Sequence, residues 1–380
     1  MLYNTYADGI DPDAIDAKDF CTMTKQYDLS VFVGRFCPFH WGHQRVVETA
    51  LEKAQNLVIL VGSARSPRSH RVPFTFSERR DMIEQSLTPE QRARVLVLPL
   101  EDSTYNDARW IQNVQNLVAQ AQARFGQTPD TGSVTLIGHS RDHSSYYLKL
   151  FPQWHSTNVE SFGNISGTNI RNSYFSNMGH MWVQDADGHK PGDLPRDALV
   201  STPVQKFLAE FIKTDDYKNI LEEYKFVLDY KASWQSAPYP PTFVTVDACV
   251  VQSGHVLLVR RGARPGKGQW AMPGGFINQN ERINHAVLRE LREETQLRVP
   301  EPVLRGSIVD QEVFDDPNRS SRGRTITHCF LIKLRDDTAL PKVKGSDDAD
   351  KAKWIPISEL RPEDFFEDHF HMLQAMLARI

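Results

Sequence analysis

The first half of the chain repeats one arrangement: a short unbroken apolar run, a turn, then a stretch with helical periodicity. Residues 29–33 (LSVFV), 57–61 (LVILV), 95–98 (VLVL) and 134–137 (VTLI) are four such runs, and Gly34, Gly62 and Gly138 follow three of them. Runs this short and apolar read as strands buried on both faces. HWGHQRVVETALEKA, SERRDMIEQSL and residues 108–124 supply helices between them. Val46, Val47, Ala50, Leu51 and Ala54 line one face of the first, and Ser77 is the expected N-cap of the second. Strands alternating with helices predict an α/β, Rossmann-like parallel sheet that binds ligands at the carboxyl ends of its strands. The three glycines lie at those ends.

After SAPYPPT, with Pro238, Pro240 and Pro241, the texture changes. That segment reads as a stiff extended spacer. FVTVDACVVQSGHVLLVRR then alternates and turns at Ser253-Gly254 like a hairpin, a long helix covers about 282–295, and further short strands follow. The second half is expected to be α+β. At roughly 150 residues per domain, 380 residues fit two domains. The expected organisation is an irregular leader at 1–27, a first domain at 28–232, a linker at 233–241 and a second domain at 242–380. A helix is expected at 202–216, and the Gly-, Pro- and Asp-rich region 176–203 reads as a loop or inserted lobe.

Four cysteines without a CxxC pair exclude a disulfide framework and a structural zinc site. The net charge of −4 gives no global attraction to nucleic acid or anionic membrane. No signal peptide and no apolar run long enough for a bilayer are legible, so a soluble, cytoplasmic protein is expected. Self-association is left open.

GRFCPFHWGH (34–43) sits between the first strand and the first helix. Gly34 admits a ligand close to the backbone, and His40 and His43 flank a helix N-terminus, where free N–H groups attract anions. Taken alone, His40-x-x-His43 also fits a metal pair or two incidental surface histidines. ISGTNIR (165–171) would open another helix with Ser166, Thr168 and Arg171, whose planar fork suits a pyrophosphate. Together the two segments resemble the HxGH nucleotidyltransferase superfamily. With PFTFSERRDMI (73–83) and GHSRDHSSYYLKLFP (138–152), residues 28–232 resemble the archaeal-type nicotinamide mononucleotide (NMN) adenylyltransferases. The resemblance implies NMN and ATP as substrates, NAD and pyrophosphate as products, and Mg²⁺ as cofactor. It implies that His40, His43 and Arg171 hold the triphosphate, with Gly34, Arg35, Phe36, Gly138, Asp142, Ser166 and Thr168 around the nucleotides. Cytidylyltransferases and pantetheine-phosphate adenylyltransferases share HxGH and are the alternatives.

In the second half, residues 275–297 read G-x5-E-x7-R-E-U-x-E-E-x-x-U, with U apolar. Glu290, Glu293 and Glu294 share one helix face, while Ile283, Val287 and Leu291 form an apolar stripe. An oxygen-only carboxylate cluster suits Mg²⁺ or Mn²⁺; a Glu- and Arg-rich helix alone would as readily be a solvated face. The full pattern is the Nudix box, and residues 240–380 resemble Nudix hydrolases. The match implies Gly275, Glu281, Arg289, Glu290, Glu293 and Glu294 as box residues, the last three as metal ligands, Glu294 as catalytic and Arg289–Glu281 as a structural ion pair. Gln296 stands where the box has a helix-terminating glycine, at an expected left-handed position. Residues 314–332 and 345–360 resemble the ADP-ribose pyrophosphatase branch. There Arg319, Arg322 and Arg324 are candidates for phosphate or ribose contact, a solvated basic loop being the other reading, and Asp347, Asp348 and Asp350 lie on a candidate base loop. A bifunctional enzyme of NAD metabolism is the expectation. A non-catalytic ADP-ribose sensor, or a hydrolase of NADH or a dinucleoside polyphosphate, is the alternative for the second half.

Overall fold

The computed structural model describes residues 25–128, 132–138, 148–160, 165–176, 199–345 and 349–380. The leader up to residue 24, Asp142, Asp347, Asp348 and most of 176–203 lie outside the described residues. In chain order the elements are β1 (Tyr27–Gly34), α1 (Trp41–Lys53), β2 (Ala54–Val61), α2 (Phe76–Ser86), α3 (Pro89–Arg92), β3 (Val95–Pro99), α4 (Asp107–Arg124), β4 (Val134–Gly138), β5 (His155–Asn158), α5 (Gly167–Phe175), α6 (Thr202–Phe211) and α7 (Asp215–Ala232). Then follow β6 (Thr242–Gln252), β7 (His255–Arg261), β8 (Trp270–Ala271), β9 (Gly274–Phe276), α8 (Ile283–Thr295), α9 (Glu301–Gly306), β10 (Ile308–Phe314), β11 (Arg324–Lys333), β12 (Ala349–Pro356) and α10 (His369–Leu377).

The first sheet is parallel throughout, in the order β3-β2-β1-β4-β5. Side chains alternate across it, as period two demands. Leu57, Ile59 and Val61 of β2 pack with α1, α2, α5, α6 and α7 on one face, and Val58 and Leu60 pack with Val114, Val118 and Ala121 of α4 on the other. From β1 the chain winds outward to β2 and β3, then returns to place β4 on the other side of β1. The strand order therefore reverses between β1 and β4, and the crevice beyond their carboxyl ends is the ligand position of such sheets. Gly34 and Gly138 stand there.

Four local features depart from expectation. β5, HSTN, has no apolar run; at the sheet edge only Thr157 is buried. α2 is capped by Thr75 rather than Ser77. Thr75 Oγ1 accepts from the Glu78 N–H at 3.3 Å, and Glu78 Oε2 accepts from the Thr75 N–H at 2.7 Å, a reciprocal capping box. The helix expected at 202–216 is two helices. Thr214 caps the second, Oγ1 accepting from the Tyr217 N–H at 3.2 Å, and that helix runs on to Ala232. Residues 233–236 directly after it are turns, with the Trp234 N–H donating to Lys231 O and the Ala237 N–H to Trp234 O, so the expected spacer is entered through turns.

The second sheet is mixed. Its main path is β10-β11-β6-β7-β12, with β8 on β7 and β9 on β6, and only β11 and β6 of that path run parallel. The β6–β7 hairpin turns at Ser253 (φ 47°) and Gly254 (φ 70°), as expected. Ala286, Val287, Leu288 and Leu291 of α8 pack on one face of the sheet, and Met372, Leu373 and Met376 of α10 on the other. α8 ends on Gln296 in the left-handed region (φ 49°, ψ 31°), its N–H donating to Arg292 O at 2.9 Å. Gln296→Gly should therefore stabilise this domain by about 0.5–1 kcal/mol. Thermal melting checks this as a Tm rise of roughly 2–4 °C.

Candidate active sites

The loop between β1 and α1 is built around its aromatic residues. Phe36 adopts φ 51° and buries its ring against Phe32, Phe39 and His43, at centroid distances of 5.1, 6.2 and 4.8 Å. Its side chain is 1% exposed, so Phe36 shapes the loop and leaves any ligand contact to its backbone. A Cβ on Gly34 would fall 2.9 Å from that ring. His40 is the N-cap of α1, and its N–H donates to His43 Nδ1 at 3.3 Å. The His43 proton is thereby placed on Nε2, the donor tautomer. The two imidazoles stack, centroids 3.6 Å apart. Gly42 leaves room for this stack, because a Cβ there would fall 3.0 Å from His40 Cε1 and displace the ring. One of the helix's open N–H groups, that of Trp41, is already bonded to Leu199 O at 3.0 Å.

The second segment meets the first. Arg171 Nη1 donates to Cys37 O at 2.7 Å across 134 residues of sequence, and Nη2 donates to Thr168 Oγ1 at 3.1 Å. Gly167 permits the approach, since a Cβ there would sit 3.1 Å from Cys37 O. Ser166 caps α5, its Oγ accepting from the Asn169 N–H at 3.1 Å. The Ser166 hydroxyl is thus engaged by its own helix. Arg35, an exposed residue, completes a cationic group: burial first, then the charges of Arg35 and Arg71, hold the Arg171 pKa below its ordinary value. Guanidiniums that repel one another in this way attract a polyanion.

In the second domain Arg289 binds Glu281 with both arms, at 2.8 Å each, as the box predicts. It also takes Glu290 Oε1 and Glu293 Oε2, each at 2.8 Å. Glu290 lies against β9, where a Cβ on Gly275 would fall 2.7 Å from its carboxylate. Glu294 is 8% exposed, and its Oε2 accepts from the Gly274 N–H at 3.0 Å. Burial first, then the Glu290 and Asp247 carboxylates, push its pKa up to about 8. Among the described residues no three His, Cys, Asp or Glu side chains converge in a metal-holding geometry. Glu293 is turned to Arg289 and is 45% exposed, while Glu290 and Glu294 stay close enough to repel. The donor set still fits a hard divalent cation: all its ligating atoms are oxygens, and the repulsion is what such a cation relieves.

A cytidylyltransferase-like family model matches residues 31–173, and a NUDIX domain model matches residues 241–376. The chain is 33% identical to a nicotinamide/nicotinic acid mononucleotide adenylyltransferase of Acinetobacter baylyi over 202 residues, 53% of this chain and 95% of that one. It is 33% identical to an ADP-ribose pyrophosphatase of Methanocaldococcus jannaschii over 117 residues, 31% of this chain and 63% of that one. The crystal structure of a bifunctional NMN adenylyltransferase/ADP ribose pyrophosphatase from Francisella tularensis, complexed with AMP and a Mn ion, superposes with a TM-score of 0.81. It is 33% identical and covers 93% of this chain and 99% of that one. The chain belongs to this bifunctional adenylyltransferase–Nudix family.

Several residues of the bifunctional chain were invisible to motif reading. Arg79 is fully buried and donates to Arg35 O (2.9 Å), Gly62 O (2.7 Å), Ser63 O (2.9 Å) and Thr75 O (3.2 Å). It ties the carboxyl ends of β1 and β2 together beneath the first site. A helical Arg beside Glu78 gives no sequence signal of burial. Arg79→Met removes a donor from all four carbonyls, but Thr75 O keeps the backbone N–H of residue 79, Ser63 O the Ser66 N–H and Arg35 O the Cys37 thiol, so the main cost falls at Gly62 O, roughly 1–3 kcal/mol. The Tm of the transferase domain should fall by roughly 3–10 °C, read by calorimetry. Asp247, on β6, backs the Nudix site. It accepts from Thr327 Oγ1 at 2.5 Å, and a Cβ on Gly274 would fall 2.7 Å from its Oδ1. His369 lies 3.8 Å from Asp247, but its Nδ1 accepts from the Met272 N–H at 3.2 Å. Burial lowers its pKa to about 3, so the ring is neutral.

The three arginines of the candidate substrate loop have three fates. Arg319 is not a surface cation: it forms a buried fork with Asp368 at 2.9 and 3.0 Å. Asp368 also accepts from Tyr105 of the transferase domain. This ion pair makes Arg319 the buried partner of Asp368 rather than a cation of an open basic loop. Arg324 turns to Asp315, the carboxylate at 3.4 Å. Arg322 stands over Phe276, with Cζ 5.2 Å from the centre of its ring.

Proposed function

We propose that the N-terminal domain transfers the adenylyl group of ATP to nicotinamide mononucleotide, giving NAD and pyrophosphate. We propose further that the C-terminal domain hydrolyses ADP-ribose to AMP and ribose 5-phosphate. The observation that carries the first reading is the bond between Arg171 and Cys37 O, which joins both motif halves at the sheet's reversal point. The mononucleotide phosphate attacks the α-phosphorus directly and pyrophosphate leaves in line, so the protein positions and neutralises. His40 and His43 donate to the triphosphate, and Arg171 with Arg35 balances the charge that builds on the leaving pyrophosphate. Gly138, Thr168 and the backbone at Phe36 border the nucleotides.

In the Nudix domain, Glu290 and Glu294 would hold Mg²⁺ or Mn²⁺, with Glu293 joining when Arg289 releases it. Bound there, the cation supplies Lewis-acid polarisation of the substrate's pyrophosphate. Glu281 and Arg289 orient α8, and Arg322 meets the substrate. We place the domain boundary between Ala232 and Thr242. Among the described residues no helix is long and apolar enough to cross a membrane. The three described cysteines, Cys37, Cys249 and Cys329, are buried and free, which accords with a reducing cytoplasmic setting.

The test is metal dependence of both reactions on the full chain. Chelation is expected to stop release of AMP, and added Mn²⁺ or Mg²⁺ to restore it. AMP release that persists in chelator would remove the metal reading of Glu290 and Glu294.

A further inference from the structure

A cavity of about 520 Å³ lies between the domains, with Arg35 and Arg71 on the transferase side and Lys267, Asp316 and Arg319 on the Nudix side. Arg71 crosses it. Its Nη1 donates to Asn318 O at 2.6 Å, and its Nη2 reaches Ser320 O at 3.4 Å. Both carbonyls belong to the loop 316–322, which ends on Arg322. From the Nudix side that loop is held by two neighbouring acids. Glu367, in a left-handed conformation (φ 43°), accepts from the Ser321 N–H at 2.8 Å and from the Ser320 and Ser321 hydroxyls at 3.2 and 3.1 Å. Asp368 holds Arg319. At the far end Arg322 covers Phe276, the neighbour of Gly275, where an added Cβ would fall 2.7 Å from the Glu290 carboxylate. Among the described residues the buried Arg322 Nε has no hydrogen-bond partner, an unsatisfied donor of the kind that calls for an explanation.

We propose that Arg71, a residue of the transferase domain, is a positioning residue of the hydrolase. It fixes the loop 316–322 so that Arg322 stands over Phe276 beside the metal-binding carboxylates. This rests on the hydrolase reading above. A carbonyl pair gripped by one fork is held in both position and direction, which a single surface ion pair does not achieve. The same guanidinium stands in the cationic group of Arg35 and Arg171, so the hydrolase loop is anchored on the transferase's anion site.

The test compares full-length wild type, Arg71→Ala, Arg71→Lys and Arg65→Ala. Arg65 also bridges the domains, to Glu363 at 3.0 Å, but touches nothing in the loop, so its variant reports simple loosening of the interface. With ADP-ribose and Mn²⁺, Arg71→Ala is expected to raise KM about tenfold, the loss of roughly one hydrogen bond's net contribution, with kcat little changed. Arg71→Lys should recover part of the loss and Arg65→Ala should match wild type. Amide hydrogen exchange at 318–322 should quicken in Arg71→Ala alone. Unchanged exchange in that variant overturns the proposal, as does a KM shift shared equally by Arg65→Ala. Should wild type release no AMP, the hydrolase reading fails, and the exchange measurement still decides whether Arg71 holds the loop.

Discussion

Replacing His43 with alanine should cut NAD formation by on the order of 10²–10³-fold in kcat/KM while ADP-ribose hydrolysis stays at the wild-type rate. The size follows from the chemistry. With no covalent intermediate, the barrier is lowered by placement and by donors aimed at charge that builds in the transition state. His43 is such a donor, because the His40 N–H occupies its Nδ1 and leaves the proton on Nε2. Phe36 and Phe39 pack on the ring at centroid distances of 4.8 and 5.6 Å and fix its orientation. The second reaction is spared because the Nudix carboxylates stand on a different sheet with its own core. Chromatographic quantification of NAD and AMP checks both halves, and a thermal melt establishes that the variant is folded.

Glu294→Gln should do the reverse. Loss of a metal-holding carboxylate removes several kcal/mol of transition-state stabilisation, on the order of 10³-fold in hydrolysis, and NAD formation should be unchanged. This variant also has a signature in stability. Glu294 is pushed up to about 8 by burial and its carboxylate neighbours, against an ordinary value of 4.5. Folded protein without metal therefore holds that proton more tightly than unfolded protein does. Its stability should decline as pH rises from about 4.5 towards about 8. The amide that replaces the carboxyl in Glu294→Gln has no such proton to lose, so in chelator the variant should gain on wild type between about pH 5 and pH 8. Denaturant midpoints at the two pH values measure this. A variant that is inactive and also less stable at the higher pH would mean that Glu294 is a structural group.

Much of the architecture was legible because it rests on local rules. The four apolar runs became β1 to β4, and the Ile283, Val287, Leu291 stripe set α8 on the second sheet. β5 was illegible because an edge strand needs few apolar residues, and HSTN has none. Thr214 and the turns after Ala232 were missed because caps and turns compete with helical periodicity over only three or four residues. At the sites, each motif's residues were readable and their partners were not. Arg79, Asp247 and Arg71 act through contacts with segments remote in sequence. Arg319 and Arg322, three positions apart, have opposite surroundings, one buried on Asp368 and the other over Phe276. Composition cannot separate two arginines whose difference is made by the C-terminal segment folding back over the loop.

The central claim is that one chain carries a transferase and a hydrolase with these substrates. The most direct measurement is a substrate panel on the full-length protein with Mn²⁺, its products resolved by chromatography. NMN with ATP should give NAD and pyrophosphate and outperform CTP and phosphopantetheine, and ADP-ribose should give AMP and ribose 5-phosphate. A preference for CTP or phosphopantetheine, or ADP-ribose that binds and is recovered intact, would contradict the account.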